Sequence, residues 1–214
     1  MFKYVKDFVF LKQMGRDCIG HMKSFRKIIN NEKRLRVDFK LIGEEPLTMT
    51  IQDGINPLEI PFYLEVFEIY DQSLNAENLK EYLMECFNKI EGSAFGNSLD
   101  SRFSIDTKYI WYTTGNNTKF KLNISIIFSK EDGIYRLTKT KDGTSYNFEL
   151  MENSKDIFKK EARLKQLCLF EKVRVAYVNK KNVYLASNEL EFHTPLDCYF
   201  EAINFSFKKN IKNK

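Results

Sequence analysis

The sequence predicts an α+β fold: a predominantly antiparallel sheet with about three helices, in the order α-βββ-α-ββββ-α-βββ. Three observations carry that expectation. Apolar and polar residues alternate through a long central hairpin over residues 101–130, which gives each strand one dry and one wet face. Gly-Asn and Asp-Gly pairs fall between alternating runs, where tight turns need positive φ. No βαβ unit repeats, so a doubly wound parallel sheet is not expected.

Residues 2–30 read as an amphipathic helix. Tyr4, Phe8, Leu11, Gly15, Cys18, Met22, Phe25 and Ile29 form a stripe at spacings of three and four, with Lys and Arg elsewhere. Gly15 and Gly20 each weaken an isolated helix by about 1 kcal/mol relative to Ala, so this one needs a surface to pack on. Leu35, Val37, Phe39 and Leu41 alternate with charged residues as a strand. Gly43-Glu44-Glu45-Pro46 turns the chain into a second strand at Leu47, Met49 and Ile51. A third, more buried strand is expected from about Phe62 to Tyr70, with Pro61 at its start or on an edge because proline has no N–H to donate. Asn75 caps a second helix over 75–91, with Leu79, Leu83, Cys86 and Ile90 as its stripe and Gly92 beyond its end.

The polar loop from Gly92 to Ser101 is the expected boundary between a segment 1–92 and a segment 101–214, unless the two form one continuous domain. The hairpin follows. Phe103, Ile105, Tyr109 and Trp111 face one way in its first arm, and Phe120, Leu122, Ile124, Ile126 and Phe128 in its second, around the turn Thr114-Gly115-Asn116-Asn117. Short strands over 134–139 and 144–151 complete a four-stranded meander, covered on one side only. A third helix is expected over 154–170. Strands at Lys172–Val178 and Val183–Phe192, joined by the turn Asn179–Asn182, and a last strand from Cys198 to Phe207 follow. Residues 208–214 read as a disordered basic tail.

With 43% hydrophobic and 29% charged residues, the chain of 214 has the composition of a globular protein that can bury a core. No run reaches the roughly 18 uncharged apolar residues that a bilayer crossing needs. Lys3, Lys6, Asp7 and Lys12 interrupt any leader-like apolar core, which points to an intracellular protein not secreted by a signal peptide. The widely spaced Cys18, Cys86, Cys168 and Cys198 are expected to be buried thiols.

No motif of nucleotide binding or of a serine nucleophile elbow is present, and no cofactor is implied. Imidazole chemistry has only two histidines to draw on. Cys18, His21, His193 and Cys198 have the donor set of a Cys2His2 zinc site, but the two pairs must meet in the fold, and buried thiols are the simpler reading. Glu59 and Glu65 share a strand face, yet no carboxylate pair is assignable to acid–base work. The remaining signal is basic. Lys and Arg number 34 against 29 Asp and Glu, a net charge of +5 that is modest for a nucleic-acid domain. Arg102, Lys108, Lys119 and Lys121 lie on the wet hairpin face beside Tyr112. Lys155, Lys159 and Lys160 line the third helix, and Lys180 and Lys181 the following turn. Cations beside an aromatic suit a phosphate backbone and a stacked base.

By elimination, the sequence favours a non-enzymatic structural or assembly subunit, self-associating or bound to protein partners, such as a ring or connector piece of a virus or phage particle. A nucleic-acid-contacting component of a ribonucleoprotein is the alternative. A small enzyme with an unseen site is third.

Overall fold

The computed structural model describes residues 1–42, 49–54, 57–111 and 118–212, except for the side chains of Phe8, Trp111 and Lys212. The turns expected at 43–46 and 114–117, Leu47 and Tyr112 lie outside these residues.

The fold is α+β, as the alternation predicts. Strands β1 (Phe2–Tyr4), β2 (Leu35–Leu41), β3 (Ile51–Asp53) and β4 (Leu58–Ile69) accompany helices α1 (Phe8–Glu32) and α2 (Ala76–Asn88). Strands β5 (Ser98–Asp100), β6 (Ile105–Thr107), β7 (Ile110–Trp111), β8 (Lys119–Lys130), β9 (Gly133–Lys139) and β10 (Tyr146–Leu150) follow. Helices α3 (Ile157–Gln166), α4 (Phe170–Ala186) and α5 (Pro195–Phe207) close the chain.

The main sheet runs β10-β9-β8-β4-β2, and β6 and β7 pair with the first half of β8. The 12-residue strands β4 and β8 form its centre, and they are parallel, with Leu58 opposite Phe120 and Glu65 opposite Ile127. All other pairings among the described strands are antiparallel. Alternation does not reveal which strand pairs with which, so the parallel centre was invisible in the sequence. Pro61 sits inside a central strand rather than at an edge. Its carbonyl accepts from Ile42 N, so its donorless nitrogen faces the same side, where the ladder with β2 has ended at Leu41 and Phe62.

Both faces of the sheet are covered. On one face, Leu58, Ile60, Phe62 and Leu64 of β4 and Phe120, Leu122, Ile124 and Ile126 of β8 pack with α1 and α2 in one core. The α1 stripe is buried there as expected: Leu11, Cys18, Met22, Phe25 and Ile29 are almost fully enclosed. The helix itself starts at Phe8, because Asp7 accepts from Phe10 N as its cap, and residues 2–4 leave to pair with β3. The opposite face carries a second core, in which Tyr63 and Ile127 meet α3, α4 and α5.

This second layer corrects the sequence reading. The expected strands over 172–192 and 198–207 are helices, and Asn179–Asn182 lies within α4 rather than in a turn. In α4, Val173, Ala176 and Tyr177 are buried, whereas Val175 and Val183 are exposed. In α5, Leu196, Tyr199, Phe200 and Ile203 are buried at spacings of three and four, while Phe205 is 54% exposed. Period-two counting put Phe205 on the buried side and missed the start signal. Thr194 accepts from Asp197 N, Pro195 opens the helix, and the Asp197 carboxylate reaches back to Thr194 N, a complete capping box. The chain stays helical through Lys212, where a disordered tail was expected. Cys168 is exposed, unlike the other three cysteines. Among the described residues, no helix is long and apolar enough to cross a membrane.

Candidate functional site

The polar side of the central strands faces a cleft rather than solvent. On β8, Lys121, Asn123 and Ser125 alternate with the core residues and point toward the layer of α4 and α5; on β4, Glu59 does the same. The expected first arm of the hairpin is broken. Residues 101–104 form a loop, and only Ile105–Thr107 and Ile110–Trp111 pair with β8. That break lets the loop turn under the sheet edge and bring Arg102, Ser104 and Asp106 to a cleft of about 490 Å³. The segment leading into α5, around His193 and Thr194, forms its other wall.

Asp106 is the hub. Its Oδ1 accepts from Ser104 Oγ at 2.6 Å and from Asn123 Nδ2 at 2.8 Å, and its Oδ2 accepts from Lys121 Nζ at 2.8 Å. Asn123 Nδ2 also donates to Ser104 Oγ at 2.8 Å. The Lys121 ammonium lies 3.2 Å from Glu59 Oε1, and Lys181 Nζ lies 4.0 Å from Glu59 Oε2. Burial opposes the charge on Lys121, but Glu59 and Asp106 outweigh it and hold the ammonium more firmly protonated than an ordinary lysine. Two buried atoms at the cleft have no hydrogen-bond partner among the described residues: the acceptor Asn123 Oδ1 and the donor Arg102 Nε.

The loop is held from below. Lys80 of α2 is almost completely buried, and its ammonium donates to Ser104 O at 2.7 Å and to Ser101 O at 3.2 Å. Burial pushes its pKa down to about 8, against the pull of Asp100. From the other side, Arg136 donates to Thr194 Oγ1 at 3.0 Å and to Asp197 Oδ2 at 2.7 Å, which ties the α5 cap to β9. Phe103 lies 4.7 Å from the Arg102 guanidinium and 4.4 Å from that of Arg136.

Of the ten candidate nucleic-acid contacts, the fold brings Arg102, Lys121 and Lys181 to the cleft. The others go elsewhere or lie outside the description. Lys108 is exposed, and Lys119 sits at the far end of β8. Lys155 is exposed, Lys159 pairs with Asp156, and Lys160 donates to Asn204. Lys180 pairs with Glu201 at 2.8 Å, and Tyr112 is not described. The four candidate zinc ligands are not brought together. Cys18 belongs to the core under α1 and Cys198 to the core on the opposite face of the sheet. Burial raises both thiol pKa values, that of Cys198 to about 12. His21 is packed against Phe87 and Phe95, and burial lowers its pKa to about 4. His193 stacks on Tyr184 with ring centroids 3.6 Å apart.

Sequence reasoning missed Glu59, Ser104, Asp106 and Asn123 as site residues. Ser104, Asp106 and Asn123 were read as wet-face positions, and Glu59 was weighed only as a carboxylate partner of Glu65. The available signal was the run Asn123, Ser125, Ile127 on the nominally wet face of β8. Short uncharged polar groups followed by an apolar residue mark a covered surface better than a solvated one.

These findings overturn the expectation of a non-enzymatic assembly subunit, and with it the virion reading. That inference stood on half-exposed strands and the lack of a site, whereas the sheet is covered on both faces and borders a polar cleft. Lys121 and Lys181 line the cleft, so the ribonucleoprotein alternative keeps fewer of the solvent-facing cations it rested on. No family model and no curated protein sequence matches the chain. Solved structures that align with the chain do so at low identity. The Elizabethkingia meningoseptica CdnE cyclic dinucleotide synthase with GTP and Apcpp aligns at a TM-score of 0.44 and 9% identity, over 92% of this chain and 79% of that one. The Bradyrhizobium diazoefficiens CD-NTase CdnG in complex with GTP aligns at 0.45 and 12%, over 83% and 49%. Vibrio cholerae DncV in its 3'-deoxy ATP bound form aligns at 0.43 and 8%, over 76% and 45%. This chain thus spans about half the length of the latter two, and the likeness is too low to carry an activity across.

Proposed function

We propose that this chain is an enzyme of nucleotide chemistry that works in the cleft between β8 and α5, with Asp106 as its acid–base carboxylate. One observation carries the reading: the buried Ser104–Asp106–Asn123–Lys121 network open to a cleft of about 490 Å³. A carboxylate held by three donors at the wall of a cavity is a positioned group, and convergent polar groups in a cleft are what a ligand site requires. Arg102 lines the cleft with the Lys121 and Lys181 ammonium groups, and a guanidinium there suits phosphate oxygens.

The reaction class that fits is transfer of a nucleotidyl group to a hydroxyl. The hydroxyl oxygen forms a bond to the α-phosphorus, and the bond from that phosphorus to the bridging oxygen breaks. Pyrophosphate leaves with the electron pair. The hydroxyl proton passes to Asp106 and then to water, and Arg102 and Lys181 balance the charge on the phosphates. Divalent cations commonly assist such transfers, held by carboxylates with free coordination positions. The residues here do not fit that role: Glu59 and Asp106 are both engaged by Lys121, and no group of three or more His, Cys, Asp or Glu side chains among the described residues is arranged for a metal.

Nucleotide binding and pyrophosphate release, measured with each of the four ribonucleoside triphosphates, test the reading. Saturable binding, with turnover abolished in a folded Asp106→Asn variant, is the expected result. A wild-type chain that binds none of the four overturns it.

A further inference from the structure

We infer that Lys121 occupies the position a divalent cation would take, so that the cleft binds a nucleotide's phosphates without metal; this rests on the nucleotide reading above. Lys121 Nζ is 2.8 Å from Asp106 Oδ2 and 3.2 Å from Glu59 Oε1, the bridging position for a cation shared by two carboxylates. Lys181, only 5% exposed, sits 4.0 Å from the other oxygen of Glu59. Two carboxylates and two ammonium groups therefore cancel, as the same carboxylates would with one divalent ion. A metal entering beside Lys121 would meet a like charge at contact distance in a poorly solvated site, which is strongly unfavourable.

An ammonium carries three donors, and Lys121 uses two of them on Asp106 and Glu59. The third is engaged by neither carboxylate, with the Tyr109 ring centroid 5.5 Å from the ammonium, and Arg102 lines the same cleft. Asn123 supports a ligand here independently. It is 7% exposed and lines the cleft, its amide nitrogen is spent on Ser104 and Asp106, and its Oδ1 has no donor. A buried acceptor without a partner is costly unless something donates to it, and a ribose hydroxyl has the right chemistry. Glu191 also lines the cleft.

The test is calorimetric titration of ATP and of GTP into the full chain, once in EDTA and once in excess Mg²⁺. The inference expects dissociation constants that agree within about threefold. Binding that is tighter by about tenfold or more in Mg²⁺, or that occurs only there, overturns it while leaving the nucleotide reading intact. Binding in neither buffer overturns both. A second arm needs no nucleotide: Mn²⁺ followed by electron paramagnetic resonance is expected to stay free with the wild type and to bind Lys121→Ala, in which Glu59 and Asp106 lose their cation. Mn²⁺ bound to the wild type alone overturns the inference. If Lys121→Ala does not fold, the wild-type comparisons still decide.

Discussion

Lys80 contributes stability that grows as pH rises above about 8, while the buried thiols of Cys18 and Cys198 work in the opposite sense. Its side chain is 1% exposed, and burial lowers its pKa from 10.5 to about 8. In the folded chain the ammonium gives up its proton near pH 8; in the unfolded chain it keeps it to 10.5. Between those values the unfolded state binds more protons, so stability increases with pH. Below pH 8 the penalty for burying the charged form is fully present, about 3 kcal/mol at 1.36 kcal/mol per pKa unit. By pH 10 most of it is gone, a gain of about 2.5 kcal/mol relative to pH 7. Lys80→Met keeps the stem and removes the titrating group. Urea denaturation of both proteins, followed by far-ultraviolet circular dichroism at pH 7, 8, 9 and 10, isolates the effect, since all other groups cancel in the difference. The wild type is expected to gain about 2.5 kcal/mol on the variant across that range. Curves that stay parallel would show that Lys80 is not buried as a charge, and the account of the loop it holds would fail with it.

Three further outcomes follow from named contacts. His21 acts in the same sense in a lower window: its pKa falls from 6.5 to about 4 on folding, so stability drops as pH falls from 6.5 toward 4, by up to about 3 kcal/mol; His21→Phe is expected to flatten that limb of an acid titration. Thr194→Ala removes the hydroxyl of the α5 capping box and is expected to lower stability by about 1 kcal/mol in chemical denaturation. It also releases one of the two Arg136 contacts, so Arg136→Met should add less in its presence than alone, a coupling that a double-mutant cycle reads. Gly133→Ala would place a Cβ 2.8 Å from Leu150 Cδ1 and from Ser154 Oγ at the β9–β10 end, and is expected to lower stability by roughly 1–3 kcal/mol.

Much of the frame was legible in the sequence because it depends on local pattern. The α1 stripe, the Asn75 cap of α2, the strand Leu35–Leu41 and the meander strands β8 to β10 were read from periodicity and turn chemistry. Each stands in the structure close to its expected place. The failures cluster after residue 170, where aromatic and β-branched residues suit a strand by propensity and a helix by spacing. Val173, Ala176 and Tyr177, and then Leu196, Tyr199, Phe200 and Ile203, are buried at helical spacings. The Thr194-Pro195-Leu196-Asp197 box was the decisive local sign, and the sequence reading passed over it and began a strand at Cys198.

The candidate site was illegible for a different reason. Glu59, Asp106, Lys121 and Lys181 come from distant parts of the chain, and each alone is an ordinary charged residue. Alternation determined that Lys121 and Asn123 share a face opposite Leu122 and Ile124. It could not determine whether that face meets water. Only the tertiary structure decided this, by pairing β4 parallel to β8 so that Glu59 lies beside Lys121, and by laying α4 and α5 over the polar face. Local sequence sets which side of a strand a residue occupies, because the backbone repeat is short-ranged. What covers that side depends on long-range packing, and here the packing turned a surface that reads as solvated into the wall of a polar cleft.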